Sequence, residues 1–468
     1  MNEKKHIILF LVGDYLAALA SWTLFYIFRK VYIEPEKFGY KVPLIFGSHF
    51  LYAILVIPFL WLLIYYVSGF YRGIYKKTGL DNFFNTFVST FIGVIIIFFT
   101  LILDDTISSY RFYYFSAGGL YCIHFAVTFI PRQLIISFTN CRIKRNIIGF
   151  PALIAGCGTE AFNLYSQIKG KSDNLIVGYI KTQPQALDVL ADLLPCLGKI
   201  DTASQIVREY KIKEVLIAVD PSDSKLAEKI IGAFDYPEIT IKIIPSLYQK
   251  LRGKVKLTYI FDSELIRVIS QMMPVWQENL KGLVDIVISA IMLLALSPLC
   301  LLLALGIKCT SPGSVIYSHE RIGRYGKVFK IYKFRSMYED AEENGPELAT
   351  KEDKRITPLG RFMRKLKLDE IPNFFNVLKG DMAIVGPRPE RKYYIDQIVL
   401  REPTYLQLLK VKPGITSLGQ VKFGYAENVD EMIRRFKYDI LYMENMSIWV
   451  DMKIVIYTFF TILKGKGI

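Results

Sequence analysis

The sequence is poor in the residues that build metal centres and disulfide frameworks. Its 468 residues include six cysteines and four histidines; no two cysteines form a Cys-x-x-Cys pair, and the histidines are dispersed. Zinc sites need closely spaced ligands, so we expect scattered reduced thiols. The chain also lacks a recognisable nucleic-acid-binding motif, although its net charge is +15. We therefore expect no nucleic-acid partner, and we assign the charge to anionic lipid or phosphorylated substrates.

Charged residues are almost absent from four long segments in the first third of the chain. A membrane-spanning helix needs about 20 apolar residues, and each segment is long enough. No small-residue cleavage site follows the first one, so we expect it to be retained. Lysine and arginine at the segment ends favour a cytoplasmic location for the N-terminus and for everything after residue 130. The sequence therefore predicts a four-span region over residues 1–148, with spans at residues 7–28, 44–67, 83–103 and 112–130.

From Pro151 onward the pattern changes to alternating strands and helices, which predicts a Rossmann-like α/β module over residues 149–270. Its first turn, residues 156–161, has the GxGxxA form of dinucleotide-binding proteins. Nucleotide binding also requires an acidic residue at the end of the second strand, where this chain has Lys181. A nucleotide site and a structural or dimerising role both stay open. The predicted strands are residues 152–155, 176–180, 215–219 and 239–244, and the predicted helices lie near residues 202–210 and 225–234.

A fifth apolar run, residues 283–307, is interrupted by Ser297 and Pro298. Proline removes a helix hydrogen bond and clashes with the preceding turn, whereas serine can bond a freed carbonyl, so a kink is expected. The kinked helix either crosses the membrane or returns to its starting side. Lys281 and Lys308 flank the run and favour the second outcome, a re-entrant hairpin with both ends in the cytoplasm.

A basic segment follows at residues 319–337. Apolar and cationic residues alternate there, which is typical of a strand or ribbon that presents cations. A solvated basic surface has the same pattern. The apolar members are Phe329, Ile331 and Phe334, and the cationic members include Lys330, Lys333 and Arg335.

Two adjacent carboxylates, Asp369 and Glu370, follow an amphipathic helix predicted at residues 357–366. The apolar stripe of that helix suits either the lipid headgroup plane or the protein core. On a helix the two carboxylates point about 100° apart, so both can reach one bound metal or phosphate. A carboxylate can also attack an electrophile, and an arginine can grip phosphate. Arg388, held in a rigid Pro-Arg-Pro turn, supplies that arginine.

Together these motifs resemble the monotopic phosphoglycosyl transferases, which are bacterial sugar transferases. The resemblance covers residues 276–468, and the front of the chain is similar to the long form of the family. It implies a multi-domain membrane protein with four transmembrane helices, a Rossmann-like module and an α-rich catalytic domain that carries the re-entrant hairpin. The motifs, in order, are Ser297-Pro298, residues 333–337, 368–372, 376–382, 385–389 and 412–416.

The resemblance also implies roles for individual residues. Asp369 and Glu370 become the catalytic pair, and the family implies that they bind Mg²⁺. Where the family often reads Gly-Leu-Trp-Gln, this chain has Ser417-Leu418-Gly419-Gln420, so the sugar preference is not predicted. Acidic positions of the family pattern fall on Asp439 and Asp451, for which core-paired carboxylates are the alternative. The expected substrate- and phosphate-binding residues are Arg321, Lys333, Arg335, Pro387, Arg388 and Pro389.

The function implied is transfer of a sugar-1-phosphate from a UDP-sugar to undecaprenyl phosphate. UMP would be released, a phosphosugar would be carried covalently on Asp369, and a surface polysaccharide would be initiated. The catalytic domain would face the cytoplasm at the bacterial inner membrane, in contact with membrane lipid, and a homodimer is compatible with the resemblance. Two alternatives remain: a nucleotide-sugar oxidoreductase or epimerase that uses the GxGxxA turn, and a non-catalytic scaffold for polysaccharide assembly.

Overall fold

The chain divides into two compact units, Met1–Ser270 and Gln271–Ile468. The first contains apolar helices and an α/β module, and the second is rich in helices. The predicted boundaries near residues 148 and 270 lie outside the residues that the structure describes. This computed structural model describes residues 3–74, 77–102, 110–144, 149–168, 174–182, 188–220, 223–234, 239–244, 257–258, 266–268, 272–339, 353–424 and 426–463.

The predicted four-span region is confirmed as four helices that are long and apolar enough to cross a membrane, judged by length and composition among the described residues. The fourth helix continues well past the predicted end at residue 130, to Lys144. It continues because polar residues beyond that point, such as Arg132, find buried partners inside the bundle. The helices of this region are α1 (Glu3–Phe28), the short α2 (Glu34–Phe38), α3 (Ser48–Val67), α4 (Gly79–Ile97) and α5 (Arg111–Lys144).

Several polar side chains inside this bundle are paired with one another. The Arg132 guanidinium donates from Nε to Asp14 Oδ1 and from Nη2 to Asp14 Oδ2, each at 2.7 Å. The His124 ring lies 2.6 Å from the Ser21 hydroxyl and 2.6 Å from the Tyr65 hydroxyl. An isolated charge is costly in an apolar medium, so a buried charged or polar group needs a partner. Here the partners come from different helices, and the resulting pairs join α1, α3 and α5 inside the bundle.

The α/β module contains one seven-stranded sheet, formed by β1 (Phe150–Ala155), β2 (Asn174–Lys181), β3 (Cys196–Lys199), β4 (Glu214–Ile217), β5 (Thr240–Ile243), β6 (Leu257–Thr258) and β7 (Ile266–Val268). The strand order in the sheet is β3-β2-β1-β4-β5-β7-β6. The first five strands are parallel, and four of them, β1, β2, β4 and β5, match predicted strands; the last two are antiparallel additions at one edge. The sequence did not indicate β6 and β7, which have only two and three residues, or β3, whose residues Cys-Leu-Gly-Lys lack the apolar run that marks β4 and β5. The helices of the module are α6 (Thr159–Ile168), α7 (Ala203–Glu209) and α8 (Ser224–Ala233).

The second unit begins with a bent helix pair, α9 (Val275–Ala295) and α10 (Ser297–Thr310). The two helices meet at an angle of 59°, so the predicted kink is confirmed. Pro298 lies in the first turn of α10, and the Ser297 hydroxyl donates to the Leu294 carbonyl at 2.7 Å, as expected for a serine beside a break. The helical region is longer than the predicted 283–307.

The predicted basic ribbon is an antiparallel hairpin of β8 (Ile316–Ile322) and β9 (Val328–Phe334). Phe329 and Ile331 are buried on one face of β9, as the alternation predicts, whereas Phe334 is buried in a different apolar cluster on the other face. A second pair, β10 (Ala383–Val385) and β11 (Gly414–Thr416), is parallel. The remaining helices are α11 (Pro358–Lys365), α12 (Asn373–Lys379), α13 (Lys392–Arg401), α14 (Leu418–Lys422), α15 (Val429–Glu444) and α16 (Ile448–Leu463), with 3-10 turns at Leu368–Glu370 and Pro403–Lys410.

Candidate active site

The two adjacent carboxylates lie on the short 3-10 turn Leu368–Glu370, between α11 and α12. Lys367 precedes the turn with a φ of 55°, a left-handed conformation that reverses the chain after α11. Both carboxylates are buried, with 7% of Asp369 and 5% of Glu370 exposed. With three residues per turn, neighbouring side chains point in different directions. Glu370 lines a pocket, whereas Asp369 is not among the residues that line it.

Glu370 is held by two cations from different parts of the fold. Its Oε1 atom lies 2.6 Å from Nζ of Lys333 on β9 and 3.6 Å from Nη1 of Arg388 in the loop after β10. Burial alone opposes ionisation of this carboxyl group. The positive charges of Lys333, Arg388 and Lys367 together outweigh burial and hold the pKa of Glu370 well below its usual range.

Asp369 is shifted in the opposite direction. Burial is the largest effect and raises its pKa, and the negative charge of Glu370 adds to this, while Lys333 and Arg364 act against it. The environment therefore separates the proton affinities of two neighbouring carboxyl groups. Such a separation is characteristic of catalytic carboxylate pairs, although structural ion pairs also produce it.

The Pro-Arg-Pro turn is fixed through its backbone on both sides of Arg388. The Gly414 amide donates to the Pro387 carbonyl at 2.9 Å. The Arg321 guanidinium, which comes from β8, donates from Nη1 to the Pro389 carbonyl at 2.9 Å. These bonds set the position of the Arg388 backbone, from which its side chain reaches Glu370.

Arg321 is itself neutralised by a buried acid. Its Nη1 atom lies 3.0 Å from Oε2 of Glu390, whose other oxygen accepts a hydrogen bond from Arg435 on α15. Burial lowers the pKa of Arg321 to about 10, which leaves it charged at neutral pH. Arg321 thus lines the pocket and also supports the Pro-Arg-Pro turn.

Of the predicted binding residues, Arg335 lies away from this pocket. It is buried, and its Nη2 atom donates to both the carbonyl and the hydroxyl oxygen of Ser311 at 2.9 Å. The structure brings the other predicted cations together with Glu370, and apolar residues complete the wall. The pocket is lined by Arg321, Ile331, Lys333, Glu370, Asn373, Met382, Arg388, Pro389, Gly414 and Ile415.

The two further acidic candidates are buried and paired. Asp439 accepts a hydrogen bond from the Gly419 amide at 2.9 Å, and burial raises its pKa to about 6. Asp451 bonds Nζ of Lys281 and the Tyr442 hydroxyl, each at 2.7 Å. Neither residue is among those that line the pocket, so the geometry matches the core-paired alternative.

The sequence analysis assigned no role to three residues beside the predicted pair. Asn376 accepts a hydrogen bond from the Tyr332 amide at 3.1 Å and donates to the Lys330 carbonyl at 2.7 Å, which ties α12 to β9. Arg364 donates to the Ser336 hydroxyl at 2.9 Å and also lowers the proton affinity of Asp369. The third, Asn373, lines the pocket. The two asparagines follow the Asp-Glu pair closely, and that proximity was the available signal.

Asp369 and Glu370 fit the protein's share of a magnesium site. Among the described residues there is no group of three or more histidines, cysteines and carboxylates that would hold a metal alone. Mg²⁺ is commonly held by one or two carboxylates together with substrate phosphates and water. Asp369 and Glu370, with the cations Lys333 and Arg388 beside them, would supply the one or two carboxylates of such a site.

In the α/β module, the two glycines of the GxGxxA turn have different surroundings. A side chain at Gly156 would place Cβ 2.1 Å from the Ala218 carbonyl oxygen, so glycine is required for packing, whereas Gly158 faces open space. The sequence has Lys181, and not an acidic residue, at the end of β2. The carboxylate of Asp188 lies beside this lysine, with Oδ2 at 2.7 Å from the Lys181 Nζ atom. The packing explains Gly156 without a nucleotide, and nucleotide binding stays a prediction.

The chain is similar to two protein families along its length. A family model described as bacterial sugar transferase matches residues 276–465, and one described as CoA-binding domain matches residues 65–245.

Several curated proteins align with the chain. A UDP-N-acetylgalactosamine-undecaprenyl-phosphate N-acetylgalactosaminephosphotransferase of Aeromonas hydrophila is 37% identical over 254 residues, which cover 54% of this chain and 59% of that protein. A UDP-glucose:undecaprenyl-phosphate glucose-1-phosphate transferase of Caulobacter vibrioides is 40% identical over 38% of this chain and 67% of that protein. An undecaprenyl-phosphate galactose phosphotransferase of Salmonella typhimurium is 28% identical over 96% of this chain and 94% of that protein. The chain spans less than two thirds of the length of the first curated relatives it matches.

Proposed function

Because this chain belongs to the bacterial sugar transferase family, we propose that it transfers a sugar-1-phosphate from a UDP-sugar to undecaprenyl phosphate and releases UMP. One observation carries the proposal: Glu370 forms ion pairs with Lys333 and Arg388 at the wall of a pocket, and the buried Asp369 precedes it in the chain. Cations placed in this way stabilise the negative charge of a phosphoryl group during transfer.

In the proposed reaction, a carboxylate oxygen of Asp369 attacks the β-phosphorus of the UDP-sugar. A bond forms between that oxygen and phosphorus, the bond from phosphorus to the bridging oxygen breaks, and UMP leaves with the electron pair. An oxygen of undecaprenyl phosphate then attacks the same phosphorus. This second step releases the Asp369 carboxylate and forms a lipid diphosphosugar, so atoms and charge balance over the two steps.

Glu370 is better suited to remain a negatively charged carboxylate than to accept and release a proton. Its pKa is held well below the usual range by Lys333, Arg388 and Lys367, against the effect of burial, so it is a weak proton acceptor at neutral pH. Asp369 and Glu370 would hold Mg²⁺ when it is bound, and the metal would supply further positive charge at the phosphates. Arg388 and Lys333 would position the phosphate oxygens.

The location we propose is the cytoplasmic face of the bacterial inner membrane, where UDP-sugars are available. The bent pair α9 and α10 would enter the membrane and return, and so bring the pocket to the plane of the lipid phosphates. Lys281 near the start of α9 and Lys308 near the end of α10 support this arrangement, since flanking lysines favour the cytoplasmic side. A homodimer is compatible with this arrangement.

The proposal is tested with purified protein, undecaprenyl phosphate, Mg²⁺ and a panel of UDP-glucose, UDP-galactose and their N-acetylated forms. At least one donor should release UMP and yield lipid-linked sugar. Asp369→Asn and Glu370→Gln should each lower kcat/KM by at least about 1,000-fold, as losses of reacting groups do. Asp396→Asn, which removes an exposed carboxylate of α13 that pairs with Lys392, is the matched control and should leave the rate unchanged.

Two results would contradict the proposal. Release of UMP from none of the donors, with NAD bound to the purified protein, would favour an oxidoreductase or epimerase that uses the GxGxxA turn. Normal assembly of polysaccharide in cells whose protein carries Asp369→Asn, and in cells whose protein carries Glu370→Gln, would favour a non-catalytic scaffold.

A further inference from the structure

One side-chain amide at the pocket wall has an oxygen with no hydrogen-bond partner among the described residues. Asn373 begins α12, three residues after Glu370, and its side chain is 2% exposed. Its carboxamide oxygen is buried and has no hydrogen-bond partner within the described part of the chain. Buried polar atoms in native proteins are almost always bonded, so an unbonded one at a pocket wall indicates a ligand or water that completes it.

Asn376, on the same helix, shows what a structural asparagine does here. It is fully buried, and both polar atoms of its amide bond the backbone of β9. Asn373 makes no comparable bond to any described residue. The bonds to β9 therefore explain why residue 376 is an asparagine. The described contacts give no such reason for an asparagine at position 373.

The composition of the pocket indicates which group would reach Asn373. Three of the lining residues, Arg321, Lys333 and Arg388, are cations suited to phosphate oxygens. Most of the remaining wall is apolar, and Asn373 supplies the one uncharged polar side chain among the residues that line the pocket. A neutral amide adds little to phosphate binding beside three cations. Its oxygen does match a hydroxyl group, which donates a hydrogen bond.

We propose that Asn373 is a specificity-determining residue whose carboxamide oxygen accepts a hydrogen bond from a hydroxyl group of the donor sugar. This inference rests on the proposed function and names the part of the donor that Asn373 contacts. A site built to bond a hydroxyl group discriminates strongly against analogues that lack it, because its own polar atom is then left unpaired.

The test combines a protein variant with donor analogues, using the full-length protein and the UDP-sugar with the highest kcat/KM in the panel. Asn373→Ala should lower kcat/KM for that donor by roughly tenfold or more. For one of its monodeoxy analogues, wild type and variant should agree within about twofold, because the contact is already absent. Inhibition by UMP should be equal in both proteins.

The inference is overturned if Asn373→Ala slows the parent donor and every monodeoxy analogue by the same factor. It is also overturned if UMP inhibits the variant more weakly, since the contact would then be to the nucleotide. A wild-type protein that transfers no sugar from any donor would instead refute the proposed function, so the two failures are distinguishable.

Two further variants separate specificity from stability. Asn373→Leu fills the same space without a polar atom, so its Tm should equal or exceed that of wild type while the dependence on one hydroxyl group is lost. Asn376→Ala is the matched control: it should lower Tm and slow all donors by a common factor. A large fall in Tm in both Asn373 variants would show that the amide supports the fold, and would overturn the inference.

Discussion

Single residues of this chain differ in proton affinity according to what surrounds them. Glu370 and Asp369 are neighbours in sequence, yet cations dominate around the first and burial around the second. The sequence identified the pair but not this difference, because Lys333, Arg364 and Arg388 approach from other elements. Asp439 shows the same dependence on distant groups.

Asp439 should make the stability of the second unit depend on pH. Burial raises its pKa to about 6, above the usual value of 3.8, so the folded protein binds this proton more tightly than the unfolded chain. Between about pH 4 and 6 a rise in pH therefore removes stability, on the order of 3 kcal/mol for two pKa units. Asn cannot ionise, and the Tm of Asp439→Asn minus that of wild type should increase from pH 4 to pH 7. A difference independent of pH would contradict this account of Asp439.

At the scale of elements, the sequence predicted those whose pattern is long and local. The four apolar spans, the first parallel strands, the basic hairpin and the break at Ser297 and Pro298 are all confirmed. The apolar stripe on α11 was predicted to face either the lipid headgroups or the protein core, and its residues divide between the two. Met363 is fully buried in the core, whereas Phe362 is 55% exposed. Contacts such as Asn376 with β9 joined segments more than 40 residues apart, which periodicity does not encode.

The bend between α9 and α10 should depend on Pro298. Proline in a helix interior costs about 3 kcal/mol, so Pro298→Leu should favour a straight helix that spans the membrane. A reporter fused to the C-terminus should then shift from the cytoplasm toward the periplasm. Pro58→Leu is the control, because Pro58 lies inside α3, a single helix, and its replacement should leave the topology unchanged. A periplasmic C-terminus in the wild-type protein would refute the re-entrant arrangement.

At the scale of the whole molecule, every residue assigned to the chemistry lies in the second of the two units. A shortened protein that begins at Met272 should therefore keep transfer activity in detergent or nanodiscs, because no group assigned to the chemistry is removed. We expect a rate within about tenfold of the full chain, which corresponds to about 1.4 kcal/mol in activation free energy. The same shortened protein carrying Asp369→Asn is the control and should be inactive. A folded, membrane-bound shortened protein without activity would show that the first unit takes part in substrate binding or in assembly.

The covalent step on Asp369 is the central claim, and the intact mass of the protein tests it most directly. Full-length protein incubated with an accepted UDP-sugar and Mg²⁺, but without undecaprenyl phosphate, should gain the mass of one sugar phosphate and release up to one UMP per site. Asp369→Asn should gain nothing, and adding the lipid should restore the original mass of the wild type. An unchanged mass, with UMP released only once the lipid is present, would contradict the covalent step and favour direct transfer between the two substrates.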